Sequence, residues 1–191
     1  MRLLVALTIL MGGVFFAAPA QADDVWSQLR DERGLVVLMR HAIAPGGGDP
    51  PGFRLGVCST QRQLSAEGRV QAQAIGREFA SRRVPIAQVR SSRWCRANET
   101  ARRLNLGPVR ATPALDSVFT ASQAIADRNK RQTERMIRDH RRMRGVLILV
   151  GHQANIIDLT GIAPDSGAAV VVRADKNGRV RVLGEVAPPG G

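Results

Sequence analysis

An α/β domain with a mostly parallel central sheet is the fold class this sequence predicts, on three observations. Residues 35–40 (Leu-Val-Val-Leu-Met-Arg) and 146–150 (Val-Leu-Ile-Leu-Val) are short and almost wholly apolar, the pattern of strands buried on both faces. Helical periodicities lie between them, as crossovers between parallel strands require. Each run delivers a histidine where it stops, His41 and His152, two of the three in the chain. Ligands of open α/β sheets sit beyond the carboxyl ends of the strands, so these two histidines can converge on one cleft.

The first residues predict export. Met1-Arg2 is a positive start, residues 3–18 are an apolar core, and Ala20-Gln21-Ala22 is a small-x-small cleavage site, so residues 1–22 are expected to be a cleaved signal peptide. The apolar run is shorter than a membrane span and stops at Pro19, so no stable membrane insertion is expected after cleavage. Residues 23–191 then form one domain, periplasmic or secreted. Without the leader, which holds one arginine and no acid, the formal charge is +11, and the excess favours anionic partners. Nucleic acid is not expected among them, since two Trp, five Phe and no Tyr leave few platforms for bases. Cys58 and Cys95 are the only cysteines. An oxidising compartment allows them to bridge, and two unpaired, partly buried thiols are the alternative.

In chain order, residues 25–32 form a lead-in helix stopped by Gly34, and the first strand follows. Residues 42–52, Ala-Ile-Ala-Pro-Gly-Gly-Gly-Asp-Pro-Pro-Gly, can be neither helix nor central strand. They are a loop directly behind His41, either lining a site or a disordered connection. Ser65 caps a helix running to about Ser81 with Val70, Ala74 and Phe79 on its buried side. A strand over 87–91 precedes a helix over 94–104, in which Trp94, Ala97, Ala101 and Leu104 share the core face and Arg96, Thr100 and Arg103 an adjacent stripe. Arg96 falls in the first turn, where unpaired N–H groups and the helix dipole favour an anion, yet on helix logic alone it reads first as an exposed arginine. Residues 110–112 make a strand stopped by Pro113, and an irregular stretch carrying Asp116 follows. A long polar helix over 121–144 has a thin stripe of Ile125, Met136, Ile137 and Met143, with His140 beside it as a structural residue. After His152 a helix covers 153–159, and two closing strands, 168–173 and 179–186, flank the Asp175-Lys176-Asn177-Gly178 turn.

Brought into one pocket, His41, His152, Arg40 and Arg96 suit phosphoryl transfer. The guanidiniums present forked donors to phosphate oxygens, one imidazole attacks phosphorus and the other donates to an equatorial oxygen. Other chemistries lack their parts. The histidines have no carboxylate or cysteine at zinc-ligand spacing, and there is no Gly-x-Ser-x-Gly elbow, no phosphate-binding Gly-x-x-x-x-Gly-Lys loop and no dinucleotide fingerprint.

Three blocks resemble the histidine phosphatase superfamily, the phosphoglycerate-mutase-like proteins. Leu38-Met39-Arg40-His41-Ala42 is similar to its Arg-His-Gly signature. Residues 91–101, Ser-Ser-Arg-Trp-Cys-Arg-Ala-Asn-Glu-Thr-Ala, resemble its Ser-Ser-Pro-x-x-Arg-Ala-x-x-Thr-Ala segment, and Gly151-His152-Gln153-Ala154-Asn155-Ile156 its Gly-His-x-x-x-Ile segment. The resemblance implies a three-layer α/β/α sandwich and an exported phosphatase acting on phosphomonoesters or related phosphoryl groups. It makes His41 the transiently phosphorylated nucleophile, gives Arg40, Arg96 and His152 to phosphate binding, and implies no metal and no organic cofactor. The substrate expected is a small phosphorylated molecule or a phosphorylated envelope component. A non-catalytic module that binds a phosphoryl ligand with the same pocket is the alternative. Three departures stand out: Ala42 for the usual Gly, Arg93 for the common Pro, and the proton donor, for which Asp116 in Leu115-Asp116-Ser117-Val118-Phe119 is the candidate acid. Gln153 occupies the place where the family's other division has an Asp.

Overall fold

The computed structural model describes residues 20–190, and the side chains of residues 25–190. The expected leader thus lies almost wholly outside the described residues; the first helix, α1 (Ala20–Asp31), begins at its last three positions. Strand β1 (Val36–Arg40) follows, and a loop containing a 3-10 turn at Cys58–Thr60 leads to α2 (Ala66–Ser81). Then come β2 (Ile86–Ser91), α3 (Cys95–Arg103), β3 (Val109–Ala111), a 3-10 turn at Pro113–Leu115 and α4 (Gln123–His140). Strand β4 (Val146–Gly151), α5 (Gln153–Thr160), β5 (Ala169–Ala174) and β6 (Val180–Val186) complete the chain.

The six strands form one sheet in the order β3-β2-β4-β1-β5-β6. The first four are mutually parallel, and β5 and β6 are antiparallel additions at one side. Every residue of β4 is buried, as its position between β2 and β1 demands. Successive side chains on β1 point to opposite faces, so Val37 and Met39 join a core with α1, α2 and α3, while Val36 and Leu38 join another with α4 and α5. The result is an α/β/α sandwich with a mostly parallel sheet.

The register places the site. Arg40 of β1 lies opposite Gly151 of β4, so the next residues, His41 and His152, leave adjacent parallel strands side by side. The His41 N–H donates to Gly151 O at 3.0 Å and the Ser92 N–H, just past β2, to Val150 O at 2.9 Å. Three neighbouring strands therefore end in one row.

Three helical faces differ from the sequence expectation. On α2 Val70 is 61% exposed and the buried stripe is instead Gly68, Ala72, Ile75, Gly76 and Phe79. Two glycines carry that face because other backbone passes too close for a side chain: a Cβ at Gly68 would sit 2.0 Å from Ile43 O, and one at Gly76 1.9 Å from Leu104 O. Trp94 is the N-cap of α3 and is only half-buried, whereas Arg96 and Thr100 of the adjacent stripe are buried with Ala97 and Ala101. Helix α4 stops at His140, and both Ile125 and Met143 are exposed. Its buried residues are Asn129, Thr133, Ile137 and His140, a mostly polar stripe satisfied by hydrogen bonds: Asn129 Nδ2 to Asp116 O, Thr133 Oγ1 to Asn129 O, and the His140 ring to Gly145 O at 2.8 Å.

Candidate active site

His41 and His152 line a single open cavity of about 330 Å3 with Arg40, Arg62, Arg96 and Asp49. The two rings meet edge to face with centroids 5.5 Å apart. His41 is only 3% exposed, and its Nδ1 lies 2.8 Å from Ala42 O, a partner that can only accept. The proton therefore sits on Nδ1, and Nε2 carries the lone pair. That Nε2 accepts a hydrogen bond from Arg96 Nε at 3.2 Å. The turn behind it is held in turn: the Ala42 N–H donates to Thr100 Oγ1, whose hydroxyl donates to Arg96 O. The Ala42 methyl, at the position where glycine is usual, is fully buried with Ala44, Leu64 and Ala72.

His152 is held through Ser92, whose Oγ lies 2.9 Å from His152 Nε2, and its Nδ1 faces Arg96 Nη2 at 3.5 Å. Arg96 is 2% exposed and forms an ion pair with Asp49 at 2.7 Å. Asp49 also accepts from the Trp94 indole at 2.9 Å and from the Arg62 backbone N–H at 3.1 Å. The Arg62 guanidinium donates to Ala44 O and Gly46 O and so draws the glycine-rich loop onto the cavity, while Arg40 Nη1 donates to Pro164 O. The Nε of Arg40 and that of Arg62 are buried without a hydrogen-bond partner, donors free to receive an anion.

The ionisation pattern follows from burial and crowding of positive charge. Burial, reinforced by the charges of Arg96, Arg62 and Arg40, pushes the His41 imidazole down to about 3, despite its bond to Ala42 O. Burial also takes His152 well below 6.5, with His41 and the same arginines adding. Burial alone would raise Asp49, but hydrogen bonds from Arg96 and Trp94 hold it below the usual carboxylate range. Both imidazoles are thus neutral near pH 7, and three guanidiniums against one carboxylate leave a net +2 in the cavity, the complement of a phosphate dianion.

The family model of the histidine phosphatase superfamily (branch 1) matches residues 36–120, which carry His41, Asp49, Arg62 and Arg96. Comparison with curated protein sequences gives no match. Among solved structures, this chain resembles the protein histidine phosphatase SixA complexed with tungstate, with TM-score 0.58 and 16% identity over 81% of this chain and 97% of that one. A phosphoserine phosphatase from Entamoeba histolytica gives TM-score 0.60 at 13% identity over 79% and 95%. A mycobacterial glucosyl-3-phosphoglycerate phosphatase gives 0.57 at 16% over 78% and 96%. At these identities the likeness is one of fold.

Of the residues expected at the superfamily site, the structure gathers His41, His152, Arg40 and Arg96 around one cavity and leaves Asp116 out of it. Asp116 is buried behind Ser92, and both of its oxygens are taken. Oδ2 accepts from Arg93 Nε at 2.8 Å and Nη2 at 2.5 Å, and Oδ1 from the Arg93 N–H at 2.9 Å and from the Ser92 hydroxyl at 3.3 Å. Asp116, expected as the proton donor, therefore does not line the cavity: two departures from the family pattern, Arg93 and Asp116, pair with each other, and the carboxylate is turned toward that guanidinium. Through Ser92 its carboxylate is linked by hydrogen bonds to His152. Asp49 and Arg62 are site residues that sequence reasoning missed, since both lie where no periodicity operates. Cys58 and Cys95 form a disulfide that ties the Cys58–Thr60 turn to the start of α3, one residue before Arg96.

Proposed function

We propose that this protein is an exported phosphatase that hydrolyses phosphomonoesters or related phosphoryl groups through a phosphohistidine on His41. The observation that carries this reading is the His41 ring: its Nδ1–H is committed to Ala42 O, so a neutral Nε2 lone pair stands in a cavity ringed by Arg40, Arg62 and Arg96. The phosphoryl oxygens take donors from those arginines, including the Arg96 Nε that lies against Nε2. In the first step the Nε2–P bond forms as the P–O bond to the leaving group breaks, and the electron pair departs on that oxygen. In the second, water adds to phosphorus as the N–P bond breaks, its protons go to phosphate, and the pair returns to Nε2. His152, fixed by Ser92, takes up a proton from solvent as the dianion offsets the arginine charge, and donates it in a hydrogen bond to an equatorial oxygen. No step calls on a metal or an organic cofactor.

Export is supported by the leader-like start and by the disulfide joining the chain's only two cysteines, a bond that persists in oxidising compartments. The substrate is a small phosphorylated molecule or a phosphorylated envelope component, and nucleic acid is not a partner.

The test is turnover and trapping. Wild-type protein given labelled substrate and quenched in alkali retains an acid-labile phosphoryl group, and His41→Ala loses both the label and the turnover while keeping its fold by circular dichroism. Binding of phosphate or vanadate without hydrolysis of any phosphate would replace this reading by that of a non-catalytic binding module.

A further inference from the structure

We propose that the esters this site turns over are those of aromatic hydroxyls, aryl phosphates, in preference to phosphates of alcohols; the inference rests on the phosphatase reading above. Two independent features of the cavity lead to it.

The first concerns the leaving oxygen. Carboxyl groups able to protonate it are absent from the cavity: Asp116 lies outside and is clamped by Arg93, and Asp49 is a carboxylate occupied by Arg96, Trp94 and Arg62. No Glu, Lys, Tyr or Cys lines the cavity, and the proton that His152 takes up on phosphate binding is committed to its hydrogen bond with an equatorial phosphoryl oxygen. A placed general acid is worth roughly 10²–10⁴-fold, and without one the P–O bond breaks at the rate that the leaving group's own acidity allows. A phenol ionises near ~10, whereas an aliphatic hydroxyl is about as weak an acid as water, near ~15.7. In the step proposed here the N–P bond forms, the P–O(aryl) bond breaks, and the phenoxide carries the electron pair away and is protonated by solvent.

The second feature is the mouth. Phe53 and Trp94 stand together with centroids 5.4 Å apart, and Phe119 lines the same cavity. At 68% exposure, Phe119 is the most exposed large apolar side chain among the described residues. Gly48 lies beside it without a side chain: a Cβ added there would reach 4.0 Å from the Phe119 ring. The three cationic side chains of the cavity are held by Pro164 O, by the glycine-rich loop and by the histidines with Asp49, so the remaining polar side chains that share the lining with the aromatic rings are the uncharged Ser117, Thr120 and Gln153, and no further cation stands there for a second anionic group. A planar ring fits there, with its phosphate on the arginines below.

The experiment measures kcat/KM of the full chain at neutral pH for a series of ring-substituted phenyl phosphates, for glycerol phosphate and phosphoserine, and for cyclohexyl phosphate as a shape control. The expected result is a steep rise with phenol acidity and at least a hundredfold advantage of p-nitrophenyl phosphate over the alcohol phosphates. Phe119→Ala raises KM for phenyl phosphate roughly three- to tenfold with a smaller change in kcat, and Phe119→Trp restores it. Free tyrosine phosphate and a tyrosine-phosphate peptide distinguish a small-molecule source of the aryl group from a protein one, and turnover of either supports the inference. Alcohol phosphates turned over as fast as aryl phosphates, a flat dependence on phenol acidity, or an unchanged KM in Phe119→Ala would overturn it while leaving the phosphatase reading standing. No turnover of any phosphate, with no label on His41, removes both.

Discussion

Acidification should weaken this fold through His41 by an amount the structure allows to be worked out. Its imidazole ionises near 6.5 in an unfolded chain and at about 3 in the folded one, because it is buried among guanidiniums. Between those values the unfolded state binds a proton that the folded state does not. The stabilisation is thus complete above 6.5 and is lost as pH falls toward 3. Each pH unit inside the window costs about 1.4 kcal/mol, so going from pH 7.5 to 4.5 removes about 2.7 kcal/mol through this one group. His152 shifts the same way and adds to the loss. The assay is urea unfolding followed by tryptophan fluorescence at both pH values, in wild type and His41→Asn. Carboxylates common to both proteins cancel in the comparison, and the variant should lose about 2–3 kcal/mol less than wild type over this interval. An equal loss in the two proteins would refute the claim that the cavity holds His41 neutral.

Three further outcomes are expected. Replacing both Cys58 and Cys95 by serine opens a link between residues 37 apart in sequence and should lower stability by about 4 kcal/mol in urea melts; a loss under ~1 kcal/mol would contradict the cross-link's role. Gly76→Ala would stabilise an ordinary helix interior by ~1 kcal/mol, but here the methyl meets Leu104 O at 1.9 Å, so a destabilisation of roughly 1–3 kcal/mol is expected, and the sign read by thermal unfolding decides. Asp116→Asn, which weakens the clamp on Arg93 and the support of Ser92, should reduce kcat about tenfold by the same factor for good and poor leaving groups. A loss of 10²-fold or more confined to poor leaving groups would instead mark Asp116 as the proton donor.

Strands were the most legible part of the sequence. A run such as residues 146–150 is apolar on both faces only because it is destined for the middle of a sheet, and it lies there, between β2 and β1. The antiparallel pair around Asp175–Gly178 was equally plain from its turn residues. Helix faces were less legible. Val70 and Gly68 exchanged roles on α2 because a close backbone approach by Ile43 selects glycine, and hydrophobicity counts glycine as nothing. On α4 the buried stripe is polar, so an apolar periodicity could not find Asn129 and Thr133.

By itself the sequence determined the class of fold, the strand ends at which His41 and His152 emerge, and, through the motif around it, Arg96 as an anion-binding candidate. These are readable because periodicity and chain order are local properties. Only the tertiary structure decided what surrounds those histidines. Asp49 and Arg62 reach the cavity from the loop and the segment after it, while Arg93 pairs with the Asp116 carboxylate outside its lining. Whether a charged side chain serves or leaves a site depends on which opposite charge it meets first, and that meeting is set by contacts between segments far apart in the chain.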